Sequence, residues 1–317
     1  MRNLKWDINS LDQSKIFYAF NDESCQEIRD IAKKIGKHQF VDQTIINPEN
    51  FKSVIKELKT IEKEVDQGQK LVILKAIPGL MYYEIETLQW IVSKLLGETI
   101  LQNEEGRHLI HIFDRDPMRR IKDGARYHQT HEMGAIHTDN VNIPETYQYL
   151  LVGCVAPAMI GGENIIVNGQ AVYEYLKENA PKELEILMEK FTWEYRGISK
   201  ELYEAPIISL DSHGEAQFRH LRTYMESAHL RAGKLLNSDQ VRALDALDAA
   251  LNMSCFQLIY RLQEGEILVA NDSKVLHDRK CFVDSIDSIS IDEKKAGKQG
   301  HLRRSLLRTW VRQLPNS

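Results

Sequence analysis

The sequence predicts a mainly-β fold with flanking helices, an α+β chain built around a β-sandwich or jelly roll. Three observations predict it. Helical periodicity dominates residues 1–100. Short strand-like runs dominate from residue 107 onward, many of them non-alternating. Gly, Asn, Asp and Pro separate many of these runs, as turn residues do.

Taken in order, residues 24–36 and 51–66 read as helices. In the second, Phe51, Val54, Ile55, Leu58, Ile61 and Val65 recur at helical spacing with charges between them. Gly68 interrupts the pattern, and Leu71-Val72-Ile73-Leu74 reads as a buried strand. Pro78-Gly79 marks a turn. A further amphipathic helix covers 84–96 and stops near Gly97. Strands are expected at 107–113, 147–155, 163–167, 191–196, 206–210, 216–220, 256–262, 266–270 and 305–312. Two helices interrupt them, at 170–190 and 239–251. Ser238 is the expected N-cap of the later one, with Val241 where a capping box would carry Glu. No linker or repeat divides the chain, so residues 1–317 are expected to form one domain, with a β core at 105–312. Residues 284–300 are polar. They read either as a mobile loop near a site or as a solvated insertion.

Composition narrows the function. Hydrophobic residues make up 43% and charged residues 27%, values of a globular protein with a core. The formal net charge of -5 argues against a nucleic-acid partner. It leaves room for a small anionic ligand held by a local basic cluster. Cys25, Cys154, Cys255 and Cys281 form no C-x-x-C pair, which points to reduced thiols. No signal-peptide stretch or membrane-spanning run is present. A cytoplasmic protein is the expectation.

The chemistry centres on His137-Thr138-Asp139. On an extended strand, residues two apart point to one face, so an imidazole and a carboxylate would converge. Leu276-His277-Asp278-Arg279 follows the 266–270 strand and a turn. His277 can complete a 2-His-1-carboxylate facial triad of His137, Asp139 and His277, a set that suits non-haem iron(II) and leaves coordination positions open. Downstream, Arg304 and Arg308 lie four apart in the apolar setting of Leu306, Leu307 and Trp310. On a strand they would face one way, and a guanidinium holds a carboxylate through two parallel hydrogen bonds.

These residues resemble the taurine-dioxygenase-like Fe(II)/2-oxoglutarate oxygenases, and within them the clavaminate synthase-like branch. The likeness lies in the order of its parts: residues 68–78, His137-Thr138-Asp139, Gly161-Gly162-Glu163-Asn164, Leu276-His277-Asp278-Arg279 and Arg304-x-x-x-Arg308. It covers roughly 65–312. The resemblance implies a double-stranded β-helix (jelly-roll, cupin-like) core and iron(II) bound by His137, Asp139 and His277. It also implies 2-oxoglutarate and O2 as co-substrates. Arg304 would hold the distal carboxylate of 2-oxoglutarate, with Arg303 the competing residue. Arg308 would face the substrate or share that duty. Asn164 stands where the family has Thr and is a further co-substrate candidate. The stretch between His277 and Arg304 is longer than the family's, and Asp139 replaces the branch's frequent Glu. Related halogenases lack the carboxylate ligand, so Asp139 favours oxygen chemistry. The expected reaction is hydroxylation, desaturation or cyclisation at an unactivated C–H bond. The expected substrate is a small polar molecule, an amino acid free or carrier-tethered, or a related metabolite.

Other polar residues carry weaker readings. His128 and His131 suggest a second metal site or hydrogen bonds at the site mouth. His108 and His111 read as structural. Arg219, His220 and Arg222, near Tyr224, are either acidic-substrate contacts or a surface strand end. Arg279 would bind substrate or brace its strand. Cys281 carries no mark of a nucleophile. Two other classes remain open: a non-enzymatic metal- or ligand-binding β-barrel, and a zinc-dependent hydrolase using the same ligands.

Overall fold

The computed structural model describes residues 11–313, apart from 36–39, 104, 117, 119, 121–128, 140, 142, 145–146 and 196–200. Its first layer is helical: Asp22–Ile35, Lys52–Gln67 and Tyr82–Leu96. Val54, Leu58, Ile61 and Val65 bury one face of the second, which ends where the Gly68 N–H donates to the Glu64 carbonyl. The third starts with the Glu84 carboxylate accepting the Met81 N–H at 2.7 Å, as in a capping box. Its buried face is partly polar. Gln89 donates to the Leu151 carbonyl, and Ser93 bonds Thr309 Oγ1 at 2.7 Å.

These helices cover one face of a seven-stranded sheet. Its hydrogen-bonded order is Phe17–Tyr18, Leu71–Leu74, Ile267–Asn271, Tyr149–Ala156, Ser305–Arg312 and Glu98–Thr99, with Leu109–Ile112 also paired to Ser305–Arg312. All pairs are antiparallel except the first. Period two sorts the side chains. Tyr149, Leu151, Val155, Leu307 and Val311 meet the helices. Leu150, Val152, Cys154, Leu306 and Trp310 point the other way. There they meet Ile166 and Leu258 of a second sheet, Gln257–Tyr260, Asn164–Asn168 and Val275–Arg279. Strands buried on both faces need apolar residues at every position, which explains the missing alternation in the sequence. Two facing sheets with this pairing are the double-stranded β-helix, the jelly-roll core.

A third apolar cluster forms where Gly169–Asn179, Pro181–Leu187, Arg222–Arg231 and Ser238–Leu251 pack with the hairpin Lys190–Glu194/Leu202–Pro206 and with Ile208–Leu210/Ala216–Phe218. Among the described residues, no helix is long and apolar enough to cross a membrane.

Several sequence expectations change. The 170–190 helix is two helices, broken at Ala180-Pro181, because proline lacks the N–H that a continuing helix needs. The single 206–210 strand becomes the ends of two pairings on either side of Ile207. Asn237, not Ser238, caps Ser238–Leu251, and Gln240 completes a capping box. Residues 1–100 are not purely a helical layer, since Leu71–Leu74 pairs with Ile267–Asn271 inside the main sheet. The 284–300 stretch contains the helix Ile291–Lys295, with a Ser290/Glu293 capping box. Ile291 is buried in the helix-side core, and Lys295 Nζ lies 2.8 Å from the buried Glu86 carboxylate. The segment is therefore anchored to the body of the fold.

Candidate metal centre

His137 and His277 face each other across an antiparallel bridge. The His137 N–H donates to the His277 carbonyl at 2.9 Å, and the His277 N–H returns the bond at 2.8 Å. Directly opposite residues project to the same side, and the two rings sit 4.5 Å apart. Beyond His137 the segment leaves β pairing and bends at Asp139. The i, i+2 strand argument thus holds only at its first residue. Thr138, fully buried, turns away and locks onto His220: its N–H donates to the His220 carbonyl, and its Oγ1 accepts the His220 N–H. The Asp139 N–H then meets the Asp272 carboxylate at 3.1 Å. This bend brings Asp139 Oδ1 to 3.5 Å from His137 Nε2.

One ligand atom from each of His137, Asp139 and His277 lies within 4.8 Å of the others, and this is the one such cluster of His, Cys, Asp or Glu among the described residues. His137 Nδ1 lies 2.7 Å from the Ala135 carbonyl, which fixes its proton there and frees Nε2 for a metal. Two imidazoles and one carboxylate, with both rings partly open to solvent, fit a mononuclear iron(II) site.

The electrostatics follow from burial and crowding. Burial opposes charge on Asp139, but Arg308, then His137 and His277, outweigh it and hold the carboxyl well below its usual range. Burial also opposes charge on His137, yet the Asp139 carboxylate raises it above an ordinary histidine. His277 is pushed down to about 3 by burial and by His137.

The arginines separate. Arg308 donates from one Nη to both Asp139 oxygens at 3.0 and 3.2 Å, and from Nε to Gln102 Oε1 at 2.8 Å. Arg304 directly precedes Ser305–Arg312 and lies near Cys154, in the same cluster as Leu306 and Trp310. Its guanidinium is only 2% exposed as a residue and lies 4.8 Å from the Phe282 ring. Among the described residues, no carboxylate is within ion-pair distance of it. Burial, and then Arg279, push it down to about 9. Gly162, at φ 74°, makes the approach possible: a Cβ there would come 3.0 Å from Arg304 Nε. Arg303 is committed elsewhere, to the carbonyls of Asp114 and Ser288. Asn164 pairs opposite Arg279, two positions from the Ile166–His277 pair, so it shares the His277 face. Its amide donates to the Tyr260 carbonyl at 3.3 Å.

Residues 20–310 match the family described as Taurine catabolism dioxygenase TauD, TfdA family.

The chain belongs to this family.

It is 22% identical over 249 residues to the taurine hydroxylase-like protein SAT17 of Stachybotrys chartarum (strain CBS 109288 / IBT 7711), covering 75% of this chain. The chain spans 63% of the length of that relative. Among solved structures, asparagine oxygenase in complex with Fe(II), 2S,3S-3-hydroxyasparagine and succinate is 14% identical. It aligns at a TM-score of 0.66 over 93% of each chain. The non-heme iron oxygenase OrfP in complex with Fe and alpha-ketoglutaric acid is also 14% identical, with a TM-score of 0.63 over 93% of this chain and 94% of that one. At these identities the likeness concerns the TauD fold.

Within this TauD-family site the remaining sequence candidates fall into place. His131 Nδ1 pairs with Asp114 at 2.7 Å, and His128 lies outside the described residues. Arg219 is buried and donates to the carbonyls of Ile143 and Pro144, bracing the loop after Asp139. Arg222 pairs with Glu226, Asp245 and Asp248. Arg279 braces residues 130–132 through two carbonyls. His111 sits beside Glu86, away from the triad, and Cys281 is exposed. Sequence reading missed Trp310, whose Nε1 donates to Asp139 Oδ2 at 3.0 Å, and Asp272. A signal for Trp310 existed: two residues beyond Arg308, it shares that strand face.

Proposed function

We propose that the chain is an Fe(II)- and 2-oxoglutarate-dependent dioxygenase that hydroxylates an unactivated C–H bond of a small polar substrate. Desaturation and cyclisation begin with the same hydrogen abstraction. His137, Asp139 and His277 would hold the iron, which supplies oxidative decarboxylation of 2-oxoglutarate to succinate and the abstraction of hydrogen.

The observation that carries this reading is the pairing of a 2-His-1-carboxylate cluster with Arg304, a buried guanidinium lacking a carboxylate partner among the described residues. A buried charge without a counter-ion is costly, so it selects an anionic ligand. The distal carboxylate of 2-oxoglutarate is that anion, and Asn164 offers an amide on the same side as His277. Arg308 meets the substrate's anionic group or the co-substrate once a metal shares the charge of Asp139. The surrounding side chains position the two organic molecules and exclude water. The likeness to asparagine oxygenase bound to 3-hydroxyasparagine supports an amino-acid substrate.

The test is anaerobic titration of the protein with iron(II) and 2-oxoglutarate, read by charge-transfer absorption. A screen of amino acids follows, read by succinate release with Asp139→Ala as the blank. Absence of the absorption overturns the reading. Metal binding without oxygen dependence would favour a zinc-dependent hydrolase. 2-Oxoglutarate binding unchanged by Arg304→Ala would favour a non-enzymatic binding barrel.

A further inference from the structure

We propose that Asp272 is a positioning residue of the metal centre, one buried carboxylate that holds the main chain of Asp139 and sets the ring tautomer of His277. The inference rests on the metal-binding reading above and concerns how the ligands are kept ready.

Asp272 is fully buried, in the turn between Ile267–Asn271 and Val275–Arg279. Its own N–H donates to the Gln148 carbonyl at 3.0 Å, which ties the turn to the strand entry at 148. Both of its carboxylate oxygens lie 3.1 Å from the Asp139 N–H. Its Oδ1 also lies 3.9 Å from His277 Nδ1. One side chain thus reaches two of the three ligands, which are far apart in sequence.

The contact with His277 has chemical content. His277 Nδ1 is sealed from solvent and has no hydrogen-bond partner among the described residues. The Asp272 carboxylate lies beside that nitrogen. At 3.9 Å this is attraction between a charge and a ring dipole, not a hydrogen bond. It favours the proton on Nδ1 and leaves the Nε2 lone pair for a metal. His137 reaches the same state by another route, through the Ala135 carbonyl at its Nδ1. Each ring therefore has an oxygen behind its Nδ1, a hydrogen-bonded carbonyl for His137 and a carboxylate at 3.9 Å for His277.

Tyr147 lies beside both carboxylates, Asp272 and Asp139. The Tyr147 phenol is raised well above its usual pKa by burial, and then by the charges of Asp272 and Asp139. Its ring stacks on Trp310 at 4.9 Å, and Trp310 donates to Asp139. Trp310 and Asp272 thus both bond Asp139, and Tyr147 packs on Trp310.

Asp272→Asn separates this role from a merely structural one. Asparagine keeps the shape and an acceptor for the Asp139 N–H, but it removes the charge. An amide N–H toward Nδ1 favours the opposite tautomer. Cobalt(II) is the probe, read by its visible ligand-field spectrum and by equilibrium affinity, with thermal melting of the apo-protein alongside. Asp272→Asn is expected to melt near the parent and to bind cobalt(II) roughly 10–100-fold more weakly. Equal affinity with an unchanged spectrum overturns the inference alone. Failure of the parent to bind cobalt(II) overturns the metal-binding reading and this inference with it. Nitrogen-15 histidine NMR of the unaltered apo-protein tests the tautomer without any substitution. The Nδ1–H form of His277 supports the assignment, and the Nε2–H form overturns it.

Discussion

The guanidinium of Arg308 reaches both carboxylate oxygens of Asp139, at 3.0 and 3.2 Å. The arginine expected to face the substrate is therefore also the counter-ion of the acidic ligand. Both side chains are nearly enclosed, at 14% and 8% exposure, so neither is compensated by bulk water.

Breaking such a pair leaves a buried carboxylate facing two histidines. Arg308→Met is expected to lower apo-protein stability by about 3 kcal/mol. A bound dication replaces the lost charge, so the deficit should shrink when cobalt(II) is present. Urea unfolding with and without the metal checks this. An equal loss in both states would show that Arg308 does not compensate the ligand.

Arg304 predicts the reverse. Its buried charge has no carboxylate partner among the described residues, so removing it relieves a cost. Arg304→Met should melt at or above the parent while losing 2-oxoglutarate binding, read by the charge-transfer band. A clearly lower melting temperature would place Arg304 in the structural framework.

Lys295 ties the 284–300 excursion to the body of the fold. It sits 2.8 Å from Glu86, whose pKa is raised by burial against the pull of Lys295. Lys295→Met is expected to cost about 3 kcal/mol at pH 7, as for a severed buried ion pair. The cost should diminish at lower pH, where Glu86 takes a proton. Hydrogen exchange across 284–300 should accelerate. Unaltered exchange would mean that Ile291 and the local capping box suffice.

His111 supplies a pH signature. Burial, and then the charges of Lys295 and Arg107, push it down to about 3. Below the ordinary histidine pKa of about 6.5 the unfolded chain takes up a proton that the folded one refuses, so stability falls as pH falls. The slope is at most about 1.4 kcal/mol per pH unit. His111→Gln should flatten the stability profile between pH 6.5 and 4. An unchanged slope would assign the acid sensitivity to other groups.

The sequence alone determined a β-rich core wrapped by helices, a sandwich or a jelly roll, because strands covered on both faces must be apolar at every position and helical stripes must show a period near 3.6; the family resemblance implied the jelly roll. The sequence also pointed to His137, Asp139 and His277, through their order along the chain with Arg304 downstream. Pro181 was a legible break that the broad 170–190 periodicity concealed. Arg222–Arg231 was not legible: its buried residues are Met225, Ala228 and His229, with one large apolar side chain among them.

Tertiary structure alone decided how the ligands meet. A period tells which side of a strand a residue takes, but not which strands lie opposite. The His137–His277 bridge joins segments 140 positions apart in the chain only through backbone pairing. The bend that carries Asp139 inward depends on His220 and Asp272, neither of them its neighbour in sequence. Arg304 and Arg308 divide by what they meet, Phe282 and Gly162 for one and Asp139 and Gln102 for the other, because a strand period gives a side chain's face but not the groups packed against it.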